Sequence, residues 1–327
     1  MGLFDNIKGP QILKESNRAK EQLAAMEELL SKATQMKMVA ALERDIAALK
    51  AGIFGEDTIL FELKHSPMPL FVLHDLYLEH EGLGVQIDFL IITRKRTFVL
   101  ECKNLYGNVT VKPSGEFVRT VGSRSEGIYS PITQSQRHLE VLKRMRTDDK
   151  GNILTKMLFE NAFDTNYKSV VVLANPKTVL NARYASKAVR EQLIRADGLI
   201  EHIRKSNAER DAVDHGEKQM IALAEYYLAK HSEPKVDYLE RYRRLAEGIE
   251  VGTEVEVATR VEVANVKALP CSVEASKPQE MPQTTSPRCP ICGSIMLKRK
   301  AGKGANVGKE FWGCSQFPKC RGVVGIR

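Results

Sequence analysis

No apolar run in this 327-residue chain approaches eighteen residues, so nothing in it reads as a membrane-spanning helix. The opening MGLFDNIKGP lacks the apolar stretch of a signal peptide, and position six is Asn rather than Ser or Thr, so Gly2 is not a myristoylation site. Both absences favour a cytoplasmic protein with no membrane partner. Cysteine is scarce: four of the six crowd into the last forty residues, leaving Cys102 and Cys271 on their own. Net charge is also missing from most of the chain. The whole carries 49 Lys and Arg against 41 Asp and Glu, a formal +8, and residues 288–327 hold nine of those bases against the single acid Glu310, so the remainder is formally neutral. With 43% hydrophobic residues, the length suffices for one buried α/β core plus a small appendage.

What is present concentrates first in QIDFLIITRKRTFVLECKN, residues 86–104, where two β-branched apolar runs flank a short basic turn. Both runs predict buried strands. A turn centred on Arg94 and Lys95 sets Phe89 opposite Leu100 and Asp88 opposite Glu101, and alternation puts Lys103 on the Glu101 face, diagonal to Asp88. The same alternation assigns Leu90, Ile92 and Val99 to one face and Ile87, Phe89, Ile91, Phe98 and Leu100 to the other. The Cys102 side chain points away from the carboxylates, as a core thiol rather than a nucleophile. Two facing carboxylates among apolar residues disfavour the fold, and a divalent cation such as Mg²⁺ resolves the conflict while also binding phosphate oxygens. The lysine then holds the attacking water or neutralises charge on the phosphate. The competing reading is an ion pair at a sheet end, with Glu101 bonded to Lys103 or Arg94 and Asp88 capping a strand. The turn lacks the Asn-Gly or Gly-x of a tight hairpin, and a one-residue slip there carries Asp88 to the other face.

An acid, then Asp, then Glu-x-Lys on a hairpin resembles the PD-(D/E)xK nuclease superfamily. Within it, GEDTILFEL at residues 55–63, QIDFLIIT, ECKNLYGNV and PITQSQRHLEVL are similar to the nuclease-related domain, NERD, across roughly residues 52–175. The basic turn departs from the glycine common in that family. The resemblance implies a restriction-endonuclease-like α/β core, a mixed sheet flanked by helices. It implies Mg²⁺ or Mn²⁺ held by Asp88, Glu101 and the Cys102 backbone carbonyl, with Lys103 as the catalytic lysine. Glu56 is then the helix-borne acid, holding a second metal or the water chain, and Gln134 approaches the scissile phosphate. His138, four residues past Gln134, shares its helix face but reads first as a satisfied surface residue.

A second signal lies at the other end. Cys289, Cys292, Cys314 and Cys320 form C-x2-C, then C-x5-C after twenty-one residues, the spacing of a zinc ribbon in which thiolates of two short loops hold Zn²⁺. Two disulfides would need an oxidising compartment, and rubredoxin-like iron is a minor alternative. RCPICGSIMLKRK with FWGCSQFPKCRG is similar to the C-terminal zinc modules of type IA DNA topoisomerases, over the last forty residues only. Lys298, Arg299, Lys300, Lys303, Lys309, Lys319 and Arg321, with Trp312 and Phe317 interleaved, suit single-stranded nucleic acid by phosphate attraction plus base stacking. Trp312 serves either core packing or base contact. Topoisomerase catalysis itself is excluded, because no Asp-x-Asp motif accompanies a tyrosine nucleophile region.

Five stretches follow in order. Residues 1–51 form a helical arm in which Leu23, Met26, Leu30 and Ala33, then Val39, Leu42, Ile46 and Leu49, keep three-four spacing across a frame shift. This is a short coiled coil open to self-association, or a helix packed on the core. Gly52 and Gly55 are expected to break it before residues 52–180, the nuclease-like core. There VTVKPSGEFVR predicts a hairpin continuing the sheet, and SVVVLA a buried strand. Residues 181–250 are a charged helical extension with a break at Pro234, residues 251–286 a linker whose VEVATRVEVANV could pair as strands, and residues 287–327 the ribbon. The function expected is metal-dependent DNA phosphodiester hydrolysis with the ribbon holding the strand, RNA being the alternative substrate. The runner-up is a catalytically weak DNA-binding scaffold in repair or processing.

Overall fold

β-Branched and aromatic runs become strands and the three-four patterned stretches become helices in a computed structural model, which describes residues 7–234, 237–247, 287–294, 296–300, 310–316 and 320–325. In chain order the elements of the larger unit are β1 (Pro10–Lys14), α1 (Arg18–Lys32), α2 (Met36–Lys64), β2 (Leu70–His80), β3 (Leu83–Ile92), β4 (Thr97–Lys103), β5 (Asn108–Val111), β6 (Phe117–Val121) and β7 (Arg124–Ile128). There follow α3 (Pro131–Asp148), α4 (Ile153–Asn166), β8 (Tyr167–Leu173), β9 (Leu180–Asn181), α5 (Lys187–Gln192), β10 (Leu193–Arg195), α6 (Leu199–Asn207), α7 (Gly216–Lys230) and α8 (Glu240–Ala246). A second unit, within residues 267–327, holds β11 (Met296–Lys300), β12 (Glu310–Cys314) and β13 (Val323–Gly325) as an antiparallel sheet.

The main sheet has the order β1-β2-β3-β4-β8-β10. It is mixed: β2, β3 and β4 form an antiparallel meander, while β1 runs parallel to β2, and β8 and β10 run parallel to β4 and to each other. Helices cover both faces. Leu90, Ile92 and Val99 pack with Val141, Leu142 and Met145 of α3 and with α4 and α7, whereas Phe89, Ile91, Phe98 and Leu100 pack with Ile59 and Leu63 of α2 and Leu199 and Ile203 of α6.

The β3–β4 register is the predicted one, with Phe89 paired to Leu100 and Ile92 to Thr97. Glycine is not needed at the turn because Thr93 builds it. Its Oγ1 accepts the backbone N–H of Arg96 at 3.0 Å and of Lys95 at 3.3 Å. The Arg96 guanidinium, fully buried, then donates to the carbonyl and hydroxyl oxygens of Ser206 at 2.7 Å and to Glu209 at 2.6 Å, and also reaches Asp211.

Other expectations fail. Residues 10–14 are an edge strand rather than helix, and the frame shift after Ala33 is the turn between α1 and α2, which fold back on each other around Met26, Met38, Leu42 and Ile46. Gly52 and Gly55 do not break α2. A helical glycine costs only about 1 kcal/mol relative to alanine, which packing overrides, and at Gly55 a Cβ would lie 2.7 Å from Asn104 Cβ and 3.1 Å from Cys102 Sγ. The bare position lets α2 close on the end of β4. The VTVKPSGEFVR hairpin forms β5 and β6 but joins a separate sheet, β7-β6-β5-β9. The helical extension contributes a strand, β10, to the main sheet. The VEVATRVEVANV stretch and Cys271 lie outside the described residues. We expect Gly55→Ala to destabilise the larger unit by about 1–3 kcal/mol through overpacking, despite a gain of at most about 1 kcal/mol in helix propensity, as read from urea unfolding.

Candidate active site and metal centre

Beyond Phe89 and Leu100 the β3–β4 ladder stops and the strands part. The donor left behind on β4 is satisfied by a side chain: Asp88 Oδ2 accepts the Cys102 N–H at 2.7 Å. The Asp88 carboxylate therefore lies against the stretch that carries Glu101 and Lys103. Glu101 has 0% exposure, and its Oε1 sits 3.1 Å from Lys103 Nζ. Lys103 Nζ in turn donates to Gln134 Oε1 at 3.1 Å. Gln134 is aimed inward by the start of α3, where Ser130 caps Thr133 N–H and Pro131 occupies the first turn. One turn on, His138 is buried, with Nδ1 4.0 Å from Glu101 Oε2, so it is not the surface residue expected.

The Cys102 side chain packs on the α2 side, opposite the carboxylates. From that side comes Glu56, placed by its neighbour Gly55. Its Oε2 receives a hydrogen bond from His74 Nε2 at 3.0 Å. Burial pushes the Glu56 carboxyl above the ordinary range, the His74 bond opposes this, and the Asp88 charge adds to the rise. Glu56 thus feels Asp88 electrostatically, with a quarter of its side chain exposed.

One assignment along β3 is corrected here. Pairing between β2 and β3 is interrupted at Asp75 and Asp88, and Asp75 adopts a left-handed φ of 56°. The alternation slips in both strands: Leu73 and Leu76 share one core, as do Ile87 and Leu90. Ile87 therefore faces α3 and α7, not the Phe89 side. Sequence reasoning also passed over His74 and Asp75, although a polar pair inside the run LFVLHDLYL was a visible signal.

In the ribbon the four cysteine sulfurs lie within 4.8 Å of one another. Cys289 and Cys320 Sγ are 3.7 Å apart and Cys292 and Cys314 Sγ 3.4 Å, near the roughly 3.8 Å edge of a tetrahedron with Zn–S bonds of about 2.3 Å and far from a disulfide. The cluster can bind zinc. Gly322 admits the thiols, since a Cβ there would stand 2.2 Å from Cys289 Sγ. The Cys292 thiol is held down to about 6 by hydrogen bonds from the Ser294 backbone and side chain. Trp312 is half-buried and packs on the cysteine cluster with Val324. Lys298, Arg299 and Arg321 are exposed, Lys298 pairing with Glu310 at 2.5 Å. The side chain of Lys300 and all of Lys303, Lys309, Phe317 and Lys319 lie outside the described residues.

A mixed sheet that splits to present buried carboxylates beside a lysine, joined in one chain to a four-cysteine module, defines an α/β protein of nuclease-like build. Residues 51–174 match the family described as the nuclease-related domain, NERD. No curated protein and no solved structure matches the chain. Among the described residues no helix is long and apolar enough to cross a membrane.

Two outcomes follow from this geometry. A carboxyl raised on folding costs stability above its raised value and nothing below its unfolded one. Glu56→Gln should therefore raise the urea midpoint of metal-free protein at about pH 8 and leave it unchanged near pH 4. Trp312, the sole tryptophan, reports the ribbon alone. A strong chelator, or Cys314→Ser, should shift its emission to the red while the circular dichroism of the larger unit stays the same.

Proposed function

We propose that this chain is a metal-dependent nuclease that hydrolyses DNA phosphodiester bonds, with the ribbon holding the strand. The observation that carries the reading is the fully buried Glu101 carboxylate beside Lys103, with Asp88 bound to the intervening Cys102 N–H. A carboxylate with no exposure is costly unless a cation compensates, and Asp88, Glu101 and the Cys102 carbonyl offer the all-oxygen donors that hard divalent ions prefer. Mg²⁺ or Mn²⁺ held there would supply Lewis-acid charge to the phosphate.

The protein's own groups do the rest. Lys103, aligned by Gln134, orients the attacking water or offsets charge as it grows on the phosphate oxygens. Glu56, held by His74, would hold a second metal or the water chain. On the ribbon, Lys298, Arg299 and Arg321 attract phosphates and the half-buried Trp312 can contact a base, which suits a single strand.

The binding-scaffold reading draws on one observation: Asp88 and Glu101 already have partners in Cys102 and Lys103. Cleavage assays decide between the two. Asp88→Ala and Lys103→Ala should each lower Mg²⁺-dependent cleavage of a small DNA panel by at least about a hundredfold while leaving folding and DNA binding intact. Equal cleavage by wild type and both variants would sink the hydrolase assignment. Cys314→Ser should weaken DNA binding and flatten its salt dependence, as measured by anisotropy titrations at several salt concentrations.

A further inference from the structure

Glu56 is held by His74, and the neighbours of His74 come in part from outside the matched domain. His74 on β2 is buried, its ring stacked on Phe89 with centroids 4.6 Å apart and planes 17° off parallel. Its Nδ1 faces the Ser16 backbone N–H at 3.5 Å. An N–H can only donate, so that nitrogen is the acceptor and the ring hydrogen sits on Nε2, which donates to Glu56 Oε2 at 3.0 Å. The backbone beside this ring is held as well. Lys14 Nζ donates to the carbonyls of His74 at 3.1 Å and Asp75 at 2.7 Å. Arg18 reaches Asp75 Oδ1, and Gln86 Nε2 donates to the same oxygen at 2.6 Å. A non-glycine residue at φ 56° is in a sparsely populated conformation, and it persists only where its surroundings hold it. Lys14 and Arg18 supply that hold.

We infer that His74 is a positioning residue for Glu56 and that residues 14–18 form a clamp which locks its tautomer and the left-handed Asp75, so that the site is completed by chain lying before the matched domain. The inference rests on the nuclease reading for its consequence, since a displaced Glu56 slows turnover rather than binding. Groups that orient a reacting or ligating side chain typically contribute 10–100-fold.

The test uses the full chain. His74→Leu should lower kcat by roughly 10–100-fold with KM within about twofold, in protein shown to be folded by circular dichroism. His74→Gln, whose amide N–H can reach the same carboxylate, should recover most of that loss, and Arg18→Met should behave like a weaker His74→Leu. Wild-type kcat in His74→Leu, or equal losses in the folded Leu and Gln variants, would overturn the inference. A readout without turnover separates it from the hydrolase assignment. Long-range proton–nitrogen NMR should show the wild-type ring protonated at Nε2, and Arg18→Met should mix the two tautomers. A ring protonated at Nδ1 overturns the clamp even if the protein cuts DNA. An Nε2–H ring in a chain that cuts nothing upholds the clamp and fails the nuclease reading instead.

Discussion

Everything at the site depends on one hydroxyl and one guanidinium keeping β3 and β4 in register. A slip of one residue in that hairpin turns every side chain of the slipped strand to the opposite face, which would carry Lys103 into the α2 core or Phe89 toward α3. Thr93 Oγ1 gathers two backbone N–H groups and donates to the Arg96 carbonyl, closing the turn on itself. Arg96 then anchors it to the end of α6 through Ser206 and to the following chain through Glu209 and Asp211. A guanidinium with no exposure is tolerable only with such partners, and their number makes the alternative registers expensive.

Where the register has done its work, the sheet is allowed to fail. Two ladders break at neighbouring points, β2–β3 at Asp75 and Asp88 and β3–β4 after Phe89 and Leu100. Such a break ordinarily strands backbone polar groups in the interior, at about 1–3 kcal/mol each. Here a carboxylate takes the Cys102 N–H, and a lysine takes the carbonyls of His74 and Asp75. The polar groups that mend the sheet are of the same kinds that phosphate chemistry uses, so opening the sheet and furnishing the site are one structural event.

That coupling explains what could be read from the residues alone. The hairpin was legible because its apolar runs are long and its register follows from the turn, and the ribbon because thiol spacing leaves few options. Gly55 was not, since a glycine in a helix reads as an interruption until its neighbour on β4 is known. Ile87 was misplaced because strict alternation cannot foresee a left-handed Asp75. His74 was overlooked because its meaning comes from Lys14, Ser16 and Arg18, some sixty residues away in the chain. The face of His138 was visible, but its burial against Glu101 depends on where α3 docks.

The helix α2 begins at Met36, whereas the stretch resembling other nuclease-related domains begins at residue 51, partway along it. Likeness and folding therefore have different boundaries in this protein. A fragment cut where the likeness starts would sever a helix, strip β1 from the sheet edge and leave Phe71 and Val72 without the strand that shields their backbone. Recombination that moved residues 51–174 into another chain would have to bring a replacement for residues 10–50. The heritable module is thus larger than the stretch by which it is recognised.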